Sequence, residues 1–224
     1  MLKVLIAPVT PFQQNCSIVW CDETMEGTAV DPGGDFDRLK QAIAEQGIKV
    51  TKVLLTHGHV DHASAAGTMA EHYGVKIEGP HKDDLFLIEG LPDSGRKYNF
   101  PAYKPFVPDR WLEGGETVSL GNLTFDVVHC PGHTPGHRAF HLSSGSSQLM
   151  ISNDTAYVPA LVVAHPEWHG AYDQDANLAE ASRRKLLDRV VADKLMICGY
   201  HFPFPAAGHI QKDGAGYALT LTKT

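Results

Sequence analysis

The nearly continuous apolar run at residues 50–55 ends in THGHVDH, which brings His57, His59, Asp61 and His62 together just beyond it. Such a run reads as a buried strand, and the stretch at 63–73, closed by Gly74, reads as a helix. A strand that needs cover on both faces and feeds a helix through a short turn belongs to an α/β arrangement. Imidazole favours neither helix nor strand, so three of them in one turn need a reason beyond local propensity.

The same alternation runs along the chain. Strands are expected at 1–9, 17–21 and 28–30, with Glu26 and Gly27 in the turn before the third. Asp31-Pro32-Gly33-Gly34 is a breaker, after which Phe36, Leu39, Ala42 and Ile43 take helical spacing until Gly47. A short strand at 75–78 and a helix at 83–89 follow. Residues 91–111 then break the rhythm: Pro92, Pro101, Pro105 and Pro108 alternate with Tyr98, Phe100, Tyr103, Phe106 and Trp111, as in an irregular aromatic loop. Beyond Glu116, strands at 118–120, 123–128, 138–142 and 148–152 are joined by hairpins. A helix from about 175 to 191 carries Leu178, Leu186, Leu187, Val190 and Val191 on one face and the pair Glu180–Arg184 on another. A strand at 195–198 comes last. Strands then helices, twice over, imply an α/β sandwich with two mixed sheets inside and helices outside. It is expected as one domain spanning 1–224, with halves at about 1–110 and 111–224.

Composition excludes several classes of function. The 224 residues are 43% hydrophobic and 20% charged, as in an ordinary globular protein. A net charge of -7 argues against a nucleic-acid partner. No apolar run approaches the roughly 18 residues that cross a bilayer, and the opening MLKVLIAPVT is too short for a signal-peptide core. Cys16, Cys21, Cys130 and Cys198 show no CxxC spacing, which suits reduced thiols in a cytoplasmic protein. The partner expected is a small-molecule substrate, with the oligomeric state left open. The 13 histidines are the one anomaly.

Their positions explain them. In an extended segment residues two apart point the same way, so His57 and His59 can converge on one point while Asp61 and His62 face another. His133 lies in the turn HCPGHTPGH, and Asp154 and His201 each follow an expected strand. Loops at the carboxyl ends of strands are where α/β proteins place their sites. Imidazole nitrogen and carboxylate oxygen suit zinc, with iron or manganese as alternatives. Ser64 and Ser152 are near in sequence but show no nucleophile-elbow pattern.

HxHxDH, a histidine in PGHTPGH, then Asp154 and His201 together resemble the metallo-β-lactamase superfamily over almost the whole chain. The resemblance implies an αββα sandwich and two divalent ions, the first on His57, His59 and His133, the second on Asp61, His62 and His201, with Asp154 bridging. His129 and His137 match no ligand position and are expected to be supporting residues. Two such ions share a water whose pKa falls to near 7, and the resulting hydroxide attacks a carbonyl or phosphoryl centre. Asp61 is then the catalytic residue that relays a proton to the leaving group.

Two branches of the superfamily are visible. Residues 1 to about 140, with PVTPFQQNCSIVWC, AVDPGGD and LLTHGHVDH, resemble single-domain glyoxalase II, which hydrolyses hydroxyacylglutathione thioesters. From Asn153 onward, NDTAYVPALVVAHPEWHGAYDQD and CGYHFPFPAAGHI resemble the branch of methyl parathion hydrolase and its lactonase-like relatives. Glyoxalase II usually has Gly before the bridging Asp, where this chain has Asn153. The chain reads as a composite, natural or engineered. The later segment is expected to line the pocket with Leu161, Trp168, Tyr172, Phe202 and Phe204, which suits apolar esters, lactones and aryl phosphotriesters. A glutathione carboxylate would instead call on Arg96, Lys97 or Lys104. The alternatives are therefore a hydroxyacylglutathione thioesterase, a mononuclear iron oxygenase using His57, His133 and Asp154, and a metal-binding protein with little turnover.

Overall fold

Strand β2 (Gln14–Cys21) is buried at every position in the computed structural model, which describes residues 1–145 and 147–222. Its side chains alternate between two cores, Ile18 and Trp20 on one face and Val19 and Cys21 on the other. That follows from the two-residue period of a strand covered on both sides. Around it lie β1 (Leu2–Val9), β3 (Glu26–Val30), β4 (Lys49–Leu54) and β5 (Lys76–Glu78), in the order β1-β2-β3-β4-β5. The first two pairings are antiparallel and the last two parallel.

A second mixed sheet has the order β12-β11-β10-β9-β8-β7-β6. Its strands are β6 (Thr117–Leu120), β7 (Leu123–His129), β8 (Arg138–Ser144), β9 (Ser147–Ile151), β10 (Met196–Cys198), β11 (Ala207–Asp213) and β12 (Gly216–Leu221). Only β9 and β10 pair in parallel. Three apolar layers hold the stack together. Helices α1 (Phe36–Glu45) and α3 (Ala66–Tyr73) cover the outside of the first sheet through Leu39, Ile43 and Met69. The central layer joins Val30 and Leu54 to Phe125, Phe140 and Ile151. Helix α6 (Ala176–Ala192) covers the second sheet with Leu186, Leu187 and Val190. This is the expected αββα sandwich.

Several local expectations are corrected. Glu26 and Gly27 belong to β3, where a register shift falls between Gly27 and Thr28. The helix expected from Ala63 is two pieces, α2 (Val60–Ala63) and α3, so His62 sits on a single turn of helix. The expected helix at 83–89 is a 3₁₀ turn, Lys82–Asp84, leading into α4 (Leu85–Glu89). The segment read as irregular opens with α5 (Leu91–Lys97), whose Pro92 stands in the first turn, where a missing N–H costs nothing. Leu178 is 41% exposed, because the inward face of α6 is Ala179, Arg183, Leu186, Leu187 and Val190. The hairpin β11–β12 was not expected, although Asp213-Gly214 marks its turn. Among the described residues no helix is long and apolar enough to cross a membrane, and all four cysteines are buried without a disulfide.

The parallel pairs set the location of the site. The carboxyl ends of β3, β4, β9 and β10 lead to Asp31, His57, Asp154 and His201 respectively. Phe140 pairs with Ile151, so the β7–β8 turn carrying His133 lies beside the end of β9. The halves are tied together here: Arg138 N–H donates to Thr56 O at 2.9 Å, and Tyr200 OH donates to Val30 O at 2.9 Å.

Candidate metal centre

Two groups of ligand-type side chains meet at this end of the sandwich. His57, His59 and His133 form one, and Asp61, His62 and His201 the other. In the first, His59 Nδ1 lies 3.0 Å from His57 Nε2 and 3.1 Å from His133 Nε2. In the second, Asp61 Oδ2 lies 3.6 Å from His62 Nε2 and 3.4 Å from His201 Nε2. Asp154 Oδ2 stands between them, 3.4 Å from His133 Nε2, 3.3 Å from His62 Nε2 and 3.6 Å from His201 Nε2. Asn153 before it takes φ 50, a left-handed conformation that Asn adopts more readily than most residues other than glycine.

The outward nitrogens of three histidines are held by Thr56, Asp31 and Asp173. Asp31, fully buried, accepts from Thr56 N–H at 2.7 Å and from the Thr56 hydroxyl, and takes the His62 Nδ1–H at 3.0 Å. Thr56 Oγ1 lies 3.1 Å from His57 Nδ1 and serves as its acceptor. His133 Nδ1–H meets Asp173 Oδ1 at 2.9 Å. Each bond engages Nδ1 and leaves Nε2 as the nitrogen that faces inward. A third overlapping group, Asp31 with His57 and His62, also gathers ligand-type atoms, but these bonds already fill the Asp31 oxygens.

Asp84 fastens the two histidine turns to each other. Its buried carboxylate accepts from Gly58 N–H at 3.1 Å, Thr134 Oγ1–H at 2.7 Å and Gly136 N–H at 2.7 Å. A Cβ on Gly136 would lie 2.6 Å from Asp84 Oδ1, so only glycine admits this contact. Gly33 has a similar role, since a Cβ there would fall 1.4 Å from the Asp61 carbonyl oxygen. His137 is buried behind the site, its ring 4.9 Å from that of His57. His129 is exposed and lies outside it, facing His81.

Charge is divided unevenly over the cluster. Burial pushes His57 well down and His59 down to about 3, and the neighbouring imidazoles add to the effect. Burial would also lower His62 and His201, but Asp154 and Asp61 outweigh it, raising His62 well above its usual value and His201 to about 10. Burial opposes ionisation of Asp154, yet His201 and His62 hold it well below the carboxylate range. Asp61 is lowered in the same way, burial being overcome by His62 and His201.

The donor set fits a divalent metal. Among the described residues, His62 Nε2 and Asp154 Oδ1 are buried polar atoms without a hydrogen-bond partner. Such orphans are costly unless something binds them. The spacing within the histidine trio is close to the about 3.3 Å separating neighbouring nitrogens on a tetrahedral ion with bonds of about 2.0 Å.

A cavity of about 500 Å³ opens beside the cluster. His59, Asp61, His133, Asp154 and His201 form its floor, and Phe12, Tyr98, Lys97, Tyr157 and Tyr172 its walls. Of the five wall residues expected, Tyr172 lines it. Phe202 is only 3% exposed and belongs to the core under α6. Trp168 stacks on His165 at the surface, with ring centroids 4.1 Å apart. Phe204 lines a separate groove with Leu2 and Met196, and Leu161 stands exposed outside the cavity. The path of the 157–175 loop decides which aromatics face inward, and hydrophobicity alone does not encode that path.

Residues 9–201 match the metallo-beta-lactamase superfamily. The chain belongs to that superfamily. Hydroxyacylglutathione hydrolase GloC of Haemophilus influenzae is 44% identical over 140 residues, covering 62% of this chain and 66% of that protein, just short of two thirds of its length. The di-iron-bound form of TTHA1623 superposes with a TM-score of 0.73 at 28% identity, covering 89% of this chain and 93% of that one. AidC, a dizinc quorum-quenching lactonase, shares the fold with a TM-score of 0.73 at 21% identity, over 94% of this chain and 80% of that one. The chain is thus a member of a metallo-hydrolase superfamily with its His/Asp clusters assembled.

Proposed function

We propose that this metallo-hydrolase cleaves acyl thioesters and esters, with hydroxyacylglutathione-type thioesters as its best substrates. His57, His59 and His133 would hold one divalent ion, and Asp61, His62 and His201 a second, with Asp154 shared between them. Zinc is the ion proposed, since it favours histidine nitrogen with carboxylate oxygen; iron or manganese is the alternative. The bound pair would supply Lewis acidity and a nucleophilic water at neutral pH.

The chain's own groups provide the rest. The Asp61 carboxylate, on the cavity floor beside His62 and His201, is the group that takes up a proton and returns it to the departing thiolate. Phe12 and Tyr98, packed edge to face at 5.6 Å, shield the bound acyl group from water. The observation that carries the reading is Lys97. Arg96 is paired with Asp93 and Lys104 with Glu71, whereas Lys97 lines the cavity and has no ion pair among the described residues. An ammonium there is placed to meet a leaving-group carboxylate. Leu161, Trp168, Phe202 and Phe204, which would favour an apolar substrate, lie outside the cavity. A second reading keeps one support: Tyr157, Val158 and Tyr172 give the cavity an uncharged wall that suits aryl esters, lactones and aryl phosphotriesters.

Rates on lactoylglutathione, an aryl ester, a lactone and an aryl phosphotriester, with metal content measured and a chelator control, decide between the two. The thioester should be fastest. Lys97→Ala should raise its KM about fivefold, as an exposed ion pair worth roughly 1 kcal/mol implies, and leave the aryl ester unaffected. An aryl ester or phosphotriester outrunning the thioester would transfer the assignment to the second reading.

A further inference from the structure

The loop between Asp154 and α6 contains one carboxylate that bonds to both the histidine cluster and the cavity wall. The Asp173 side chain is fully buried, and its Oδ1 accepts the His133 Nδ1–H at 2.9 Å. Its Oδ2 accepts from Gly170 N–H at 3.2 Å, Arg183 Nη2–H at 3.2 Å and Tyr157 OH at 3.4 Å. Arg183 is buried in turn and donates to the carbonyls of Thr155, Pro166 and Trp168, so it pins both ends of the loop. His57 and His62 are held by Thr56 and Asp31 from the first half of the chain. His133 is held by a residue from the loop that also supplies Tyr157 and Tyr172 to the wall.

We infer that Asp173 is a positioning residue for His133, fixing its tautomer and ring plane and tying the substrate wall to the metal centre. The inference rests on the ligand role of His133 proposed above. A carboxylate that faces donors at both oxygens can only accept. His133 must therefore donate from Nδ1, which leaves the Nε2 lone pair toward His59. An amide cannot replace it. With the Asn oxygen toward Arg183 and Gly170, its NH₂ would face His133 Nδ1 and force the ring proton onto Nε2. With the amide flipped, its NH₂ would face three donors.

The test is competition titration of zinc against a chromophoric chelator, on wild type and Asp173→Asn. The variant should lose about 10–100-fold in affinity for one of the two ions, as expected for the loss of a histidine's supporting partner, and hold the other nearly as before. If Asp173 only braces the loop, the substitution lowers the melting temperature of the metal-free protein and leaves both zinc affinities at the wild-type level, which overturns the inference. Should the variant not fold, ¹⁵N-histidine spectra of metal-free wild type at mildly alkaline pH answer the same question. His133 should carry its proton on Nδ1, shifted downfield by the carboxylate, and a proton on Nε2 instead overturns the inference. Wild type that binds no zinc would refute the proposed function; wild type holding two ions no more tightly than Asp173→Asn would refute this inference alone.

Discussion

The three histidines of HxHxDH and the distant His201 start from different protonation states. Burial keeps His57 and His59 neutral in the metal-free protein, while Asp154 and Asp61 hold His201 protonated with a pKa of about 10 and raise His62 in the same direction. A divalent ion binds only neutral imidazole, so an ion entering the Asp61–His62–His201 group must displace protons. One entering His57 and His59 finds them already deprotonated. Calorimetry at neutral pH in buffers of different ionisation enthalpy should show proton release concentrated in one of two binding events; equal release from both would contradict this assignment. The same shift acts on the metal-free fold. Because the folded pKa of His201 lies above its ordinary 6.5, its contribution to stability is complete below that value and is lost as pH rises through about 10. The ligand-type residues were legible because each follows a strand and carries metal chemistry in its own side chain. Asp31, Asp84 and Asp173 were not, since what defines them is contact across the fold; Asp84, for example, reaches residues 26 and 52 positions away.

At the scale of elements, the strands and helices with strong periodicity were legible, and the departures have identifiable causes. Proline in 91–111 reads as a breaker, but at the start of α5 it is harmless. The face of α6 turns away from Leu178 because Arg183 takes a core position by bonding carbonyls of the loop before it. Turns without secondary structure depend on side-chain anchors, and Asp84 anchors two of them. Asp84→Ala would strand the N–H groups of Gly58 and Gly136 and the hydroxyl of Thr134 in a buried site. With each orphan costing about 1–3 kcal/mol less whatever water recovers, a loss of about 3 kcal/mol is expected in denaturant unfolding of the metal-free protein. A loss below about 1 kcal/mol would mean that the two turns hold their shape without it.

For the whole molecule, the two-sheet plan was legible because each sheet draws its strands from one half of the sequence, β1 to β5 before residue 110 and β6 to β12 after it. How the halves close on each other was not legible, since it depends on such contacts as Tyr200 OH to Val30 O and Asn15 Nδ2 to Phe202 O at 2.9 Å. The three apolar layers do not include the ligand groups, so the sandwich should persist when metal is removed. Its stability should nevertheless fall. An ion that binds the folded chain and not the unfolded one stabilises by about 4 kcal/mol at a thousandfold excess over Kd. For a domain of this size that corresponds to roughly 8–16 °C in Tm for each tightly held ion. The metal-free cluster is also strained in its own way, with His62 Nε2 and Asp154 Oδ1 left without partners among the described residues. Chelation followed by verified metal removal should therefore lower Tm by that order while the far-ultraviolet circular dichroism stays native. Re-addition of zinc should restore Tm, and Asp154→Ala, which removes the oxygen lying between both groups, should show the low Tm with or without it. An unchanged melting curve after metal removal would mean that the histidine cluster is held by the protein alone, and the metal-dependent reading would fail with it.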